Sequence, residues 1–520
     1  MSMSVRGWAL LVALLVPVAP RVAAAAAAEQ RLTLDEAIGL ALRKSEGIVI
    51  EREALGAAAA AARAARGAYD PLLELEGAAD RSQPPVNSSF SGAPAGQLAP
   101  ETKSLGADAS IRQLLPTGGA LMLRGSGARA TSEGVFTPLS PAYSTEAGVE
   151  LRQPLLRDRA IDGARLELRV TKAGHRGAAA SLRRTLNETI AAAERAYWAL
   201  AAARLGVSVR EEAVSLAEEQ LELTRSRVQS GSAPRTELAE PQAEIERRRG
   251  ELLAATETVA RAENALKLLI LGDGDERSWL ASIVPADSVA AEAAPVEVAE
   301  SVERGLSARA ELELGQAVVD RRRAEVAFAS DSVWPRLDAV LSYDRFGLAG
   351  ARNAAGPAAV PAGLDGNWAT SFQSLGRGDF DAARVGVVLG LPILNRAARG
   401  NAEAARHLER QAEADLARVR NTIRAEVLDA AAALQTAGQR IEAARAGREA
   451  AEVQLSAERD RYGSGLSTNF LVLTRQNDLS RARLDEISAL TDYRTAVTEM
   501  ARATGSLIEE RGIHLGGSSQ

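Results

Sequence analysis

The strongest constraint on this chain is that much of it is written twice. Pro71 and Pro335 lie 264 positions apart, and the same offset relates Glu36 to Glu300, Leu42 to Leu306, Ile48 to Leu312 and Asp80 to Asp344. Further along, an offset of 234 relates Arg227, Ser230, Gly231 and Gln242 to Arg461, Ser464, Gly465 and Gln476. Self-similarity over half a chain means one duplicated unit, not a solenoid of short repeats. The two copies can therefore be read against each other.

Composition removes whole classes of chemistry. There is no cysteine, which excludes disulfides, thiolate metal sites and cysteine nucleophiles. His175, His407 and His514 stand far apart without ligand spacing, so neither a metal nor another cofactor is expected. A net charge of -6 offers no basic surface for nucleic acid. The N-terminus carries Arg6, an apolar run from Trp8 to Val18 and a small-residue tract from Ala23 to Ala28. That order reads as a secretory signal over 1–28. A buried or membrane-spanning helix is the other reading, but the run is short and broken by Pro17 and Pro20. No cysteine follows the tract, so a lipid anchor there is excluded, and no later stretch offers about 20 uncharged apolar residues.

Hydrophobic periodicity divides each copy into the same parts. Residues 34–68 and 296–333 read as helices, closed by Asp70-Pro71 and Trp334-Pro335, since proline disfavours helix at the residue before it. Beyond each proline the period changes to two. Leu73 and Leu75 alternate with Glu74 and Glu76, and Leu337, Ala339, Leu341 and Tyr343 alternate with Arg336, Asp338, Ser342 and Asp344. The same alternation marks Leu105–Ile111, Ala147–Leu151 and Val385–Leu391, with a turn at Pro116–Gly119. Four strands are expected in the first copy, near 72–82, 104–113, 119–132 and 144–153. Long loops are expected at 83–103, 133–143 and 347–379, and most of the aromatics fall in or beside this material, among them Phe90, Phe136, Tyr143, Trp368 and Phe372. A soluble sandwich and a membrane barrel both fit such strands; export without an anchor favours the barrel.

From about 161 to 230, and again from 397 to 463, a helical pattern runs without proline. At 1.5 Å per residue each helix would be about 100 Å long. A tight turn follows each, at Gly231–Pro234 or Gly463–Gly465, and then a second helix, 236–271 or 468–509. These are antiparallel hairpins dense in Ala, Glu and Arg, a composition suited to coiled-coil packing. A hairpin so thin cannot bury its own apolar stripe, so it is expected to pack on copies of itself.

Strands between helical hairpins, twice over and behind a signal, resemble the TolC family of outer-membrane efflux proteins, the outer membrane factor of tripartite export systems. The local sequences Leu32-Thr-Leu-Asp-Glu-Ala-Ile, Gln153-Pro-Leu-Leu and Arg461-Tyr-Gly-Ser-Gly are similar to the family's, and the likeness covers nearly the whole mature chain. The resemblance implies an α+β membrane protein whose duplicated unit gives a trimeric transmembrane β-barrel, with four or six strands per protomer, continued by a long periplasmic α-helical coiled-coil barrel. The domains would be the signal 1–28, a first repeat 29–280 with its hairpin at 158–271, a second repeat 281–510 with its hairpin at 397–509, and a tail 511–520. As a homotrimer in outer-membrane lipid, it would be the exit duct for efflux or secretion, served by a periplasmic adaptor (membrane fusion) protein and an inner-membrane transporter. No enzymatic activity is expected, and no phosphate-binding glycine loop, Gly-x-Ser-x-Gly or His-Glu-x-x-His occurs. The competing reading is a non-transporting periplasmic coiled-coil scaffold. The extra strand pair of the first repeat either widens the barrel or folds away as a plug or collar.

In the family the periplasmic tip is closed by polar links and ringed with acids. Alignment on the turn glycines puts Leu471 and Thr474 at those acid positions in the second repeat but Glu237 and Glu240 in the first. Threefold copies of these glutamates would draw cations; the plainer reading is two ordinary first-turn acids of a helix. By resemblance Tyr462 would hydrogen-bond Glu237 as one lock of the closed state. Arg227, Gly231, Arg461, Gly463 and Gly465 would form the turns that an adaptor meets, the glycines supplying left-handed backbone.

Overall fold

The computed structural model describes residues 29–513 apart from 86–91, 95, 96, 98, 275, 291, 293, 294, 357–359 and 361. The signal 1–28, Phe90, His514 and the rest of the tail beyond 513 lie outside the described residues. The strands are β1 (Glu29–Leu32), β2 (Leu72–Ser82), β3 (Thr102–Leu114), β4 (Ala120–Ser132), β5 (Leu139–Pro154), β6 (Ser282–Pro285), β7 (Arg336–Arg352) and β8 (Phe380–Gly390). The helices are α1 (Leu34–Lys44), α2 (Glu46–Arg66), α3 (Gly163–Gln229), α4 (Ala239–Ile270), α5 (Glu276–Leu280), α6 (Val298–Ala308), α7 (Ala310–Asp331), α8 (Trp368–Arg377), α9 (Arg396–Gly463), α10 (Asn469–Thr504) and α11 (Leu507–Glu510). Among the described residues no helix is long and apolar enough to cross a membrane. The chain forms two compact units, and each draws on both sequence repeats.

One unit, built from 45–192, 291–446 and 492–520, contains a six-stranded antiparallel sheet in the order β2-β3-β4-β5-β7-β8. The alternation of each strand is carried across the whole sheet. Leu73, Ile111, Leu123, Val149, Tyr343 and Ala383 stand in one cross-strand row, and Leu121, Leu151, Leu341 and Val385 in another. All point to one face, because side chains in register share a side. On the opposite face Arg124 of β4 reaches Glu146 of β5 at 3.0 Å and Asp344 of β7 at 2.8 Å. The β3–β4 pair is thus neither a plug nor a collar within the chain, but part of the continuous sheet.

The stretch 347–379, expected as loop, holds the end of β7 and the whole of α8. Asn367 and Thr370 make a reciprocal cap at its start, and Gly378 ends it with φ 72°. Ser371 and Ser374 are buried, and the Thr145 and Ser371 hydroxyls lie 3.0 Å apart. The side of α8 that meets the sheet therefore carries small polar residues, so hydrophobic periodicity does not reveal it. Beside it, the Trp368 and Tyr143 rings pack at 5.2 Å. Likewise β5 begins at Leu139, inside the expected loop 133–143.

The two helices expected over 34–68 and 296–333 are both interrupted. Ser45 stands at φ -64°, ψ 119° and Arg309 at φ -69°, ψ 123°, each an extended residue between two helices. They are separated by the repeat offset of 264. Neither break carries proline or glycine, which is why propensity missed them. At the second, a 5% exposed Arg309 is held by Glu311 at 2.8 Å, Glu426 at 2.9 Å and the Ala503 carbonyl at 3.2 Å. Burial alone would lower the Arg309 pKa, but those carboxylates outweigh it and raise it.

The other unit, from residues up to 44, 193–290 and 447–491, is helical apart from β1 and β6, which pair in parallel. Tyr197 ties them. Its hydroxyl lies 3.0 Å from the Leu32 carbonyl and 2.6 Å from Asp287 Oδ2, and it accepts from the Ala286 and Asp287 N–H groups at 3.1 Å. Burial, joined by the bond to Asp287, pushes its pKa up to about 12.

Candidate functional site

The two long helices α3 and α9 end in turns of one design. Gly231 stands at φ 77° and Gly465 at φ 76°. Ser232 N–H donates to the Arg227 carbonyl and Leu466 N–H to the Arg461 carbonyl, both at 2.8 Å. Gly231 donates to Val228 at 3.2 Å and Gly465 to Tyr462 at 3.1 Å. These bonds satisfy carbonyls that a helix end leaves bare, and they need one left-handed residue, where glycine has no Cβ to clash. Gly463 does not share that role. It is the last helical residue of α9 and corresponds to Gln229 of α3; the motif needs one left-handed position, and Gly465 fills it.

Past the first turn, Pro234 leads into a short 3-10 turn, Arg235–Leu238. Glu237 sits in it, half-buried, and Glu240 lies in the first turn of α4. Glu240 accepts from Asn469 Nδ2 at 3.4 Å, and Asn469 Oδ1 accepts from Gln220 Nε2 at 2.7 Å. Thr224 lies 3.5 Å from the same oxygen. Gln220, Thr224 and Asn469 are buried, so a polar chain joins α3, α10 and α4. An unpaired group left there would cost about 1–3 kcal/mol.

Tyr462 is 8% exposed and packs with Leu455, Val472 and Leu479. The Arg227 guanidinium lies 4.7 Å from its ring centre, a contact of about 1 kcal/mol. The hydroxyl finds no hydrogen-bond partner among the described residues. The expected Tyr462–Glu237 bond is thus not made within one chain: apolar packing and the stacked Arg227 fix the ring, and Glu237 is held on the 3-10 turn. Gln220, Leu223, Arg227, Tyr462, Gly465 and Gln476 help to line a cavity of about 680 Å³. Arg461 pairs with Glu458 at 3.4 Å, and Glu458 also accepts from the Ser467 hydroxyl.

Farther along α4, Arg248 is 2% exposed and bonds Glu244 at 2.7 Å, the Ala213 carbonyl at 2.5 Å and Asn477 at 3.3 Å. Burial would raise the Glu244 pKa, but hydrogen bonds from Arg247 and Arg248 outweigh it and hold the carboxyl below its ordinary value. Sequence reasoning passed over Asn469, Gln220 and Arg248. Comparison of the copies hides two of them, because Asn469 corresponds to Arg235 and Arg248 to Ala482, whereas Gln220 recurs as Gln454 and only its distant partner was out of view. No cluster of three metal-ligating side chains occurs among the described residues.

The model of the family described as outer membrane efflux protein matches residues 114–272 and 302–506, one segment in each repeat. The chain belongs to the outer membrane efflux protein family. This efflux protein is an outer-membrane exit channel with its helical part in the periplasm. Solved structures share its fold. The CmeC outer membrane channel of Campylobacter jejuni aligns with TM-score 0.63 at 15% identity, over 92% of this chain and 89% of that one. VceC of Vibrio cholerae gives 0.62 at 17%, over 91% and 96%, and the open state of the MtrE channel of Neisseria gonorrhoeae 0.59 at 15%, over 91% and 89%. Comparison with curated proteins found no match.

Proposed function

We propose that three copies of this efflux protein close one barrel and one helical tunnel, and that the assembly passes substrates delivered by a periplasmic adaptor protein and an inner-membrane transporter. The observation that carries this reading is the open sheet. β2 and β8 are its edges, and its apolar face is bare, with Leu75 72% and Val385 84% exposed. Lipid covers such a face, and only closure removes such edges. The role is conduction, with no catalytic step assigned to any side chain. A heat-modifiable trimer in the outer-membrane fraction is the expected result; a soluble periplasmic monomer would favour the scaffold and defeat the duct.

The turns around Gly231, Gly463 and Gly465, with Arg227 and Arg461, meet the adaptor. Glu237, Glu240 and Tyr462 belong to the gate: the Glu240–Asn469–Gln220 link holds the hairpins of one chain together, and the Tyr462 hydroxyl, buried and unpartnered within the single chain, takes Glu237 of a neighbouring copy only as the turns shift on closure of the trimer. Tyr462→Phe should then raise leak through the tip, and unchanged antibiotic entry would remove Tyr462 from the gate.

A further inference from the structure

We infer that the β3–β4 hairpin is wall of the membrane barrel, so that the trimer closes with eighteen strands, and that β8 joins β2 of the next copy in a register already present inside each chain. The inference rests on the trimer proposed above. Its first support is the sheet itself: β3 and β4 are paired along their whole lengths between β2 and β5. Their apolar residues fall in the same rows as those of β5, β7 and β8, and Arg124 of β4 joins the polar-face ion pairs with Glu146 and Asp344. Six strands per chain also leave β2 and β8 running in opposite directions, as antiparallel closure needs. Barrel diameter grows roughly linearly with strand number, so this wall would be about one and a half times as wide as that of a trimer of four-stranded chains. A wider mouth suits bulkier cargo than a twelve-stranded exit admits.

The register follows from the duplication. β2 corresponds to β7 through the Pro71 and Pro335 offset. β5 corresponds to β8 at an offset of 238, where Gly148, Val149, Leu151, Pro154 and Leu156 recur as Gly386, Val387, Leu389, Pro392 and Leu394. The β5–β7 ladder is therefore an internal copy of the joint between chains. In it Gln153 faces Ala339 and Leu151 faces Leu341, and Leu155 N–H donates to the Leu337 carbonyl at 2.7 Å. Transferred, Leu391 faces Leu75 of the next copy, Leu389 faces Gly77, and Ile393 N–H donates to Leu73. The exposures agree. Ile393 is 97% and Leu391 63% exposed, and Leu73 and Leu75 are 59% and 72%, whereas Leu155, which has its partner strand, is 38%.

The absence of native cysteine makes the register directly readable. In the full chain, Leu75→Cys with Leu391→Cys should oxidise to a covalent trimer on denaturing gels, because paired strands bring Cα atoms within disulfide range. Leu75→Cys with Val387→Cys, four residues out of register, should not. The reverse pattern overturns the register. Electron cryomicroscopy of the unmodified protein in lipid nanodiscs, with particle mass from light scattering, should give a trimer with eighteen strands. A trimer with twelve would overturn the wide wall and leave the duct standing. A particle that is not a trimer would overturn both.

Discussion

The two repeats agree where the backbone needs a special conformation and disagree where side chains do the holding. Gly231 and Gly465 make the same turn with the same bonds, and Ser45 and Arg309 break their helices at the same dihedrals. Yet Ser45 has none of the buried ion pairs that surround Arg309, and Glu237 and Glu240 face Leu471 and Thr474 across the alignment. Duplicated backbone geometry persists because a turn tolerates few alternatives. Side-chain locks are interchangeable, so each copy has settled on its own.

The largest test of that contrast is at the helix breaks. Arg309→Met strands Glu311, leaves Glu426 with only Arg502 at 3.7 Å, and should destabilise the protein by about 2–4 kcal/mol, the lower end reflecting that remaining pair and the partial exposure of both acids. Ser45→Ala should stay within about 0.5 kcal/mol. Equal losses in thermal melting of the detergent-purified protein would show that both breaks depend alike on their side chains. Next comes the polar link: Asn469→Leu leaves the Gln220 amide buried and unpaired, at about 1–3 kcal/mol. It should also increase antibiotic entry, whereas Arg235→Leu at the matching place of the first repeat should not.

The turns should respond alike. Gly231→Val and Gly465→Val each place a Cβ in the left-handed region, costing about 1–2 kcal/mol, and a difference above about 1 kcal/mol between them would break the equivalence. The smallest effect is acid sensitivity. Glu244 has a lowered folded pKa, so its ion pairs stabilise fully above the ordinary value of 4.5 and are lost as pH falls through the lower folded value. As pH falls below about 4.5, wild type should lose stability relative to Glu244→Gln; parallel pH–stability curves would contradict this.

The strands, the long helices and the turn glycines were legible because each rests on a local pattern. Period-two alternation marked β2, β3, β5, β7 and β8, the turn at Pro116–Gly119 pointed to β4 after it, and Gly231 and Gly465 announced the helix ends. What stayed hidden depended on partners distant in sequence. The break at Arg309 is held by Glu426 and the Ala503 carbonyl. The Gln220–Asn469 bond spans 249 positions. α8 meets the sheet through serines, whose burial no hydrophobic period reports. The acid pair Glu237 and Glu240 was visible as charge, but the asparagine that holds one of them was not.

The β5–β7 ladder, finally, speaks to descent. Because one seam inside the chain has the build required of the seams between chains, a half-length ancestor with two strands could have closed a narrower ring of the same kind from six copies. Fusion of two such genes would halve the number of pieces to assemble, and it would free one copy to gain the β3–β4 insertion while the other kept the older outline.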